Sequence, residues 1–184
     1  MKVLFVVSGN KSEGPGAVVA NQAQSLKDSR VDIQFYLIRG KSIRGYLSNV
    51  MKIRNFIKEN AFDLIHAHGV SALVATLSFK KPLVVSLLGS ELNESKYIKS
   101  LVKYLARNYW NHTIVKSEDM LSKIKAIQNS MWVSVIPNGV NLSIFKPAEK
   151  TEAKKKFQWD PSFKQILWLA DTSRKSKNYA LATK

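Results

Sequence analysis

The sequence predicts an α/β fold: a Rossmann-like parallel sheet with helices on both faces. Two observations predict it and a third bounds it. Apolar runs of strand length alternate with segments of helical spacing from the first residues to about position 147. Most of the strand-length runs are uniformly apolar, as strands covered on both faces are, and the helical segments between them supply right-handed crossovers. The length, 184 residues, allows one such domain with a real core and a fragment besides.

In chain order, Lys2–Val7 is the first strand, and Ser8–Gly16 is a loop rich in Gly and Ser. Ala17–Leu26 sets Val18, Val19, Ala23 and Leu26 at helical spacing, and Val31–Ile38 is the second strand. Ile43–Asn60 gathers Tyr46, Leu47, Val50, Met51, Ile53 and Ile57 on one side, the pattern of an amphipathic helix. Phe62–Ala67 is the third strand and Ser71–Phe79 a short helix. Pro82 opens the strand Leu83–Leu88; helix Glu94–Trp110, strand His112–Lys116, helix Asp119–Ile127 and strand Trp132–Ile136 follow. Beyond Pro147 the composition shifts. Glu149–Lys156 is a charged helical stretch, Gln165–Ala170 reads as one new strand, and Arg174–Lys184 begins another helix.

Hydrophobic residues at 45% and charged residues at 23% are ordinary for a soluble globular chain. No apolar run approaches the ~18–20 residues that cross a bilayer. The first residues lack the cleavage site of a signal peptide. The absence of cysteine excludes a disulfide framework and thiolate metal sites, and fits a cytoplasmic address. The charge is not ordinary: 29 Lys and Arg against 13 Asp and Glu give +16. Such an excess implies an anionic partner, whether membrane, nucleic acid or a phosphorylated substrate. Lys41, Arg44, Lys52, Arg54 and Lys58 flank or lie on one helix, and Lys96, Lys99, Lys103 and Arg107 form a stripe on another. No zinc-finger spacing, helix-turn-helix or RNP-like aromatic motif points to specific nucleic acid.

Five segments carry candidate chemistry. Val135-Ile136-Pro137-Asn138-Gly139-Val140-Asn141-Leu142-Ser143-Ile144-Phe145-Lys146-Pro147 is a strand that stops hard. Pro137 fixes φ and offers no N–H, and Asn138-Gly139 tolerate positive φ, so the chain turns there. Gly14-Pro15-Gly16 follows the first strand and opens a helix; it is either a plain βα loop or a backbone cradle for an anion. A dinucleotide site fits poorly, because G-x-G-x-x-G is absent and the second strand ends in Arg39, not in an acidic ribose ligand. Asp63-Leu64-Ile65-His66-Ala67-His68-Gly69 sets two histidines at i and i+2, on one side of the sheet. Without a third ligand they are poor metal ligands and are read as core or strand-end histidines. His68, at the C-terminal end of its strand, is better placed to face a cleft. Gly89-Ser90-Glu91 is a helix-opening turn or a functional loop, and Ser117 is placed to cap the helix after it.

Together these segments resemble glycosyltransferase family 4, retaining enzymes of the two-domain GT-B fold. The junction string is similar to V-I-P-N-G-V-D-x-x-x-F-x-P, with Asn141 where the family usually has Asp. Asp63–His68 resembles the family's D-x-I-H-A-H strand. Pro82–Glu91 is similar to P-x-V-x-T-x-H-G-x-D, but Leu88 stands where many members place a histidine near the reaction centre. Leucine neither donates nor accepts a hydrogen bond, so no acid or base role passes to it. Leu167–Asn178 is similar to F-V-G-R-L-x-x-x-K-N: Lys177 and Asn178 match, the arginine position falls on Ala170 or Asp171, and Arg174 is out of register.

The resemblance implies an N-terminal acceptor-side domain at residues 1–147 and, at residues 148–184, a linker and the truncated start of the C-terminal donor-binding domain. Only 37 residues (184 − 147) follow Pro147, and the family's later E-x7-E pair is absent. The implied reaction moves a sugar from a nucleoside-diphosphate sugar to a glycan or lipid-linked acceptor, with the isolated chain inactive. Implied cleft residues are Gly14, Gly16, His68, Gly89, Ser90 and Glu91. Asn138 and Gly139 form the hinge, and Lys177 holds donor phosphate. No metal and no cofactor is implied beyond the sugar nucleotide as substrate, since a helix dipole and basic side chains can hold the leaving diphosphate. Family habit adds an anionic membrane surface on the cytoplasmic, inner face as partner, and cell-surface polysaccharide assembly as setting. The rival reading is a non-catalytic basic membrane-binding or assembly module that pairs with a separate donor-binding chain; a large apolar patch on the cleft face would favour it.

Overall fold

A computed structural model of the protein describes residues 1–10, 13–40, 43–78, 82–93, 96–125, 132–173 and 178–183. The chain forms two compact units, Met1–Asn141 and Leu142–Lys184. The division falls between Asn141 and Leu142, inside the Pro-Asn-Gly string.

In the first unit the strands are β1 (Lys2–Ser8), β2 (Asp32–Ile38), β3 (Leu64–His68), β4 (Leu83–Ser86), β5 (His112–Val115) and β6 (Val133–Val135). The helices are α1 (Ala17–Asp28), α2 (Ile43–Glu59), α3 (Ser71–Ser78), α4 (Ser90–Asn93), α5 (Lys96–Asn108) and α6 (Glu118–Lys125). The strands form a six-stranded sheet among the described residues, in the order β2-β1-β3-β4-β5-β6. Every pairing is parallel.

This order explains where the helices lie. The chain steps from β1 outward to β2, then back across β1 to β3, and continues in that new direction. Right-handed crossovers place helices on opposite faces for opposite directions of travel. So Val19 and Ala23 of α1 pack with Val3, Phe5, Val7 and Ile33 on one face. Ile53 of α2, Val74 and Ala75 of α3, Leu105 and Ala106 of α5 and Ile124 of α6 pack with Leu4, Val6, Ile65, Val85 and Val115 on the other. Alternation along β1 serves both cores, which is why its residues Val3 to Val7 are apolar without a break.

Trp110, just beyond α5, ties two helices together. Its Nε1–H donates to Thr76 Oγ1 of α3 at 2.9 Å, and that hydroxyl donates to the Ala72 carbonyl at 2.7 Å. Buried indole N–H groups need such a partner.

In the second unit, α7 (Lys150–Lys156) and α8 (Tyr179–Ala182) are the helices among the described residues. The strand expected at Gln165–Ala170 does not form. A strand exists only by pairing, and the described residues of this unit offer it no neighbour. Ile166 and Leu169 stand out in solvent, at 91% and 88% exposure, and the Trp168 ring packs against Tyr179 at 5.2 Å.

Candidate functional site

The strand order reverses direction between β1 and β3. In open parallel sheets the crevice for ligands lies at such a reversal, beyond the C-terminal ends of the strands. Four loops meet that edge: those after β1, β3, β4 and β5.

The β1 loop is fixed at its root. Asn10 Nδ2 donates to the Gly40 carbonyl at 2.7 Å and Asn10 Oδ1 accepts the Gly40 N–H at 2.7 Å, tying the loop to the end of β2. Further along, Gly14 and Gly16 carry open space: a Cβ on either meets nothing within 4 Å, and neither has a positive φ. Neither strain nor packing accounts for glycine there. Gly16 is the N-cap of α1, and no side chain caps that helix end. The first turn of α1 also holds no acidic residue; the Val19 N–H donates to the Gly16 carbonyl at 3.0 Å, and the positive end of the dipole is left without a side-chain cap among the described residues.

At the end of β3, register explains the histidines. Phe5 pairs with His66, His66 with Val84 and His68 with Ser86. His66 and His68 therefore share the α1 face of the sheet with Phe5 and Ser86. The two imidazoles stack at 4.2 Å, with the Phe5 ring 4.9 Å from His66 and 4.7 Å from His68. His66 Nε2 and Ser86 Oγ are hydrogen-bonded at 2.8 Å. His68 Nε2 lies 3.3 Å from Gln22 Oε1 of α1. Among the described residues, His68 Nδ1 is buried without a hydrogen-bond partner, as is Ser71 Oγ at the start of α3.

Burial dominates the protonation of both rings. Desolvation, aided by the Lys116 charge, lowers His66 from 6.5 to about 4. Desolvation, then the charges of His66 and Lys116, lowers His68 to about 2, against a small raising influence of the Val6 and His66 backbone. Both are neutral at pH 7. His66 is a core histidine; His68 keeps 4% exposure beneath Gln22.

Beyond β3 and β4 the backbone is forced. Gly69 has φ +59, and a Cβ there would stand 2.6 Å from Glu91 Oε1 and 3.4 Å from Leu88 Cδ1. Gly89 has φ +109, a conformation that glycine alone adopts easily. Conformation thus accounts for Gly89 without a ligand. Ser90 opens α4, and Glu91 is buried at 3% exposure. Its Oε2 accepts the N–H of Leu88 at 3.2 Å and of Gly89 at 3.0 Å. Glu91 therefore braces the β4 loop from behind and touches the β3 turn. Leu88 is 46% exposed at this edge.

Of the residues singled out in the sequence, Gly14, Gly16, His68, Gly89, Ser90 and Glu91 all lie in the loops or strand ends of this one edge. Asn138 and Gly139 lie in an exposed stretch after β6. Lys177 lies outside the described residues. Among the described residues, no group of three His, Cys, Asp or Glu could hold a metal ion.

Sequence reasoning missed Lys116. It follows β5 directly and continues the register of His112 and Ile114, which pair with Val84 and Ser86. That places it on the histidine face. It is half-buried, burial lowers its pKa, and its ammonium makes no hydrogen bond or ion pair among the described residues. A charged residue ending a parallel strand is the signal that could have found it.

The sequence matches the Glycosyltransferase Family 4 model over residues 5–144. No curated protein sequence matches it. Among solved structures it is similar to sucrose-phosphate synthase from Thermosynechococcus elongatus, with TM-score 0.70, 12% identity, 88% of this chain and 53% of that one covered. It is also similar to Anabaena HepE in complex with UDP and glucose, with TM-score 0.60, 18% identity, and coverages of 85% and 50%. A second HepE structure, with UDP-glucose, gives TM-score 0.58 at 20% identity, covering 86% and 49%. The chain spans about half the length of these structures. At such identities the likeness establishes the fold, that of the N-terminal domain of a GT-B glycosyltransferase. With a family match over most of its length, and a doubly covered parallel sheet whose strand order reverses between β1 and β3, the chain belongs to Glycosyltransferase Family 4.

Proposed function

We propose that the first unit is the acceptor-side half of a retaining glycosyltransferase, and that the second begins its donor-binding domain. The full reaction moves a sugar from a nucleoside-diphosphate sugar to a glycan or lipid-linked acceptor. The observation that carries this reading is the open Gly14–Gly16 loop and uncapped α1 N-terminus at the strand reversal. That HepE structures hold UDP and UDP-glucose supports a sugar nucleotide as donor. In this proposal Gly14, Gly16, His68, Gly89, Ser90 and Glu91 shape the acceptor side of the cleft. Asn138 and Gly139 are its hinge, and Lys177 meets donor phosphate. The nucleoside diphosphate is held by helix N-termini and basic side chains, and is substrate, not cofactor.

Transfer needs both sides of the cleft. The 184 residues alone are therefore expected to release no sugar from UDP-glucose or other sugar nucleotides, whereas a longer polypeptide with a whole donor domain does so with retention of anomeric configuration. Turnover by the 184 residues, or inversion by the longer protein, would overturn the proposal.

The proposal also seats the protein on an anionic membrane. Among the described residues no helix is long and apolar enough to cross one. On α5, Tyr97, Leu101 and Tyr104 are exposed at 87%, 44% and 58%, beside Lys96, Lys99, Lys103 and Arg107. Tyrosine with Lys and Arg is the composition of a membrane–water interface.

A further inference from the structure

We propose that Lys116 is an anion-binding residue of the crevice, holding a phosphate ester together with the uncapped N-terminus of α1. The proposal rests on the glycosyltransferase reading only for naming the ligand as a substrate phosphate; the anion site itself stands on the geometry of the first unit.

Four observations support it. Lys116 is carried by the end of β5 onto the face of His66, Ser86 and His68, the face that α1 covers. At ~4.8 Å per strand, β5 lies about 10 Å across the sheet from β3, within reach of a lysine stem and a ligand between them. Its ammonium is half-buried with neither carboxylate nor carbonyl to receive it among the described residues. A lysine that loses water without gaining a partner loses stability, and a bound anion is the partner that would offset that loss. The Lys116 charge bears on both imidazoles, in keeping with the register that sets Lys116 on their face. Gln22, which touches His68, lies on α1 about 7 Å from its first turn at 1.5 Å per residue, so the helix end and the lysine overhang the same floor.

The floor itself is short of partners. His68 Nδ1 is nine-tenths buried with none. The imidazoles there are neutral and offer an anion no charge, so Lys116 supplies the positive charge that they lack. A phosphate ester is the chemistry that fits: helix N–H groups and one ammonium bind tetrahedral oxyanions, and Gly14 and Gly16 leave space for the rest of the ligand. The ester could belong to a nucleotide or to a lipid headgroup, and the test separates them.

The 184-residue protein is titrated with inorganic phosphate while the ring resonances of its histidines are followed by NMR. Saturable shifts of His66 and His68 are expected. Lys116→Met should weaken the binding about tenfold or more, as loss of a charge-assisted contact does, and Lys116→Arg should restore most of it. Lys150→Met, on α7 of the second unit, should leave it unchanged. An amide spectrum of each variant that overlays the parent's shows that the fold is intact. Competition then assigns the source: displacement of phosphate by UDP points to a nucleotide, and displacement by soluble short-chain phosphatidic acid points to a headgroup. Binding that survives Lys116→Met, that falls equally with Lys150→Met, or that never saturates would overturn the proposal. None of these readouts needs sugar transfer, so failure of the transferase reading and failure of the anion site are told apart.

Discussion

Two imidazoles stacked 4.2 Å apart in the core make the fold acid-sensitive. The folded state holds His66 near 4, whereas the unfolded chain titrates near 6.5. Between those values the unfolded state binds more protons, so stability is full above pH 6.5 and falls as pH drops toward 4. At about 1.4 kcal/mol per pH unit, His66 alone should cost about 2 kcal/mol by pH 5. Urea midpoints measured at pH 7.5 and 5 should therefore fall, and His66→Gln should flatten the dependence. Equal midpoints for the parent at both values would contradict the buried pair. Gly69 permits a second test. Gly69→Ala forces an L residue to φ +59 and against Glu91 Oε1, so it should cost at least about 1–2 kcal/mol. A denaturation curve unchanged from the parent's would show that the turn can relax.

Among the elements, α3 and α5 are coupled through one polar contact inside an apolar layer. Thr76→Val keeps the volume and removes the acceptor for Trp110 Nε1. An indole N–H left buried without a partner should cost about 1–3 kcal/mol, visible as a lowered melting temperature. A neutral effect would mean that water enters beside Trp110. The α5 stripe makes the second prediction at this scale. Changing Lys96, Lys99, Lys103 and Arg107 to Gln should weaken binding to anionic vesicles by about 1 kcal/mol per residue. The parent's own binding should decline with salt. Co-sedimentation that ignores both salt and these substitutions would remove α5 from the membrane reading.

For the whole molecule, strand order decides where function sits. The step back across β1 sends α1 to one face and the later helices to the other. It also opens the edge where the β1, β3, β4 and β5 loops meet. Glu91 holds that edge from behind by binding the Leu88 and Gly89 N–H groups, so Glu91→Ala should loosen the β4 loop while leaving the sheet folded. Amide exchange at Leu88 and Gly89 should then rise while that of β1 and β3 stays slow.

The sequence by itself determined the type and order of the first unit's elements apart from the short α4, because periodicity and loop residues act locally and these strands are rich in apolar residues. It also singled out the junction string and the D-x-I-H-A-H strand, whose residues sit together in the chain. Tertiary structure alone decided the rest. Gln165–Ala170 has a strand's composition but no partner to pair with among the described residues of its unit, so it is not one. Gly89 and Gly14 look alike in sequence, yet φ +109 accounts for the first, whereas a Cβ on the second would meet nothing within 4 Å. Lys116 is 48 positions from His68 in the chain (116 − 68) and acts on it only because the sheet sets β3, β4 and β5 side by side. Partners, desolvation and charge at a site belong to neighbours in space, and a sequence shows neighbours only along the chain.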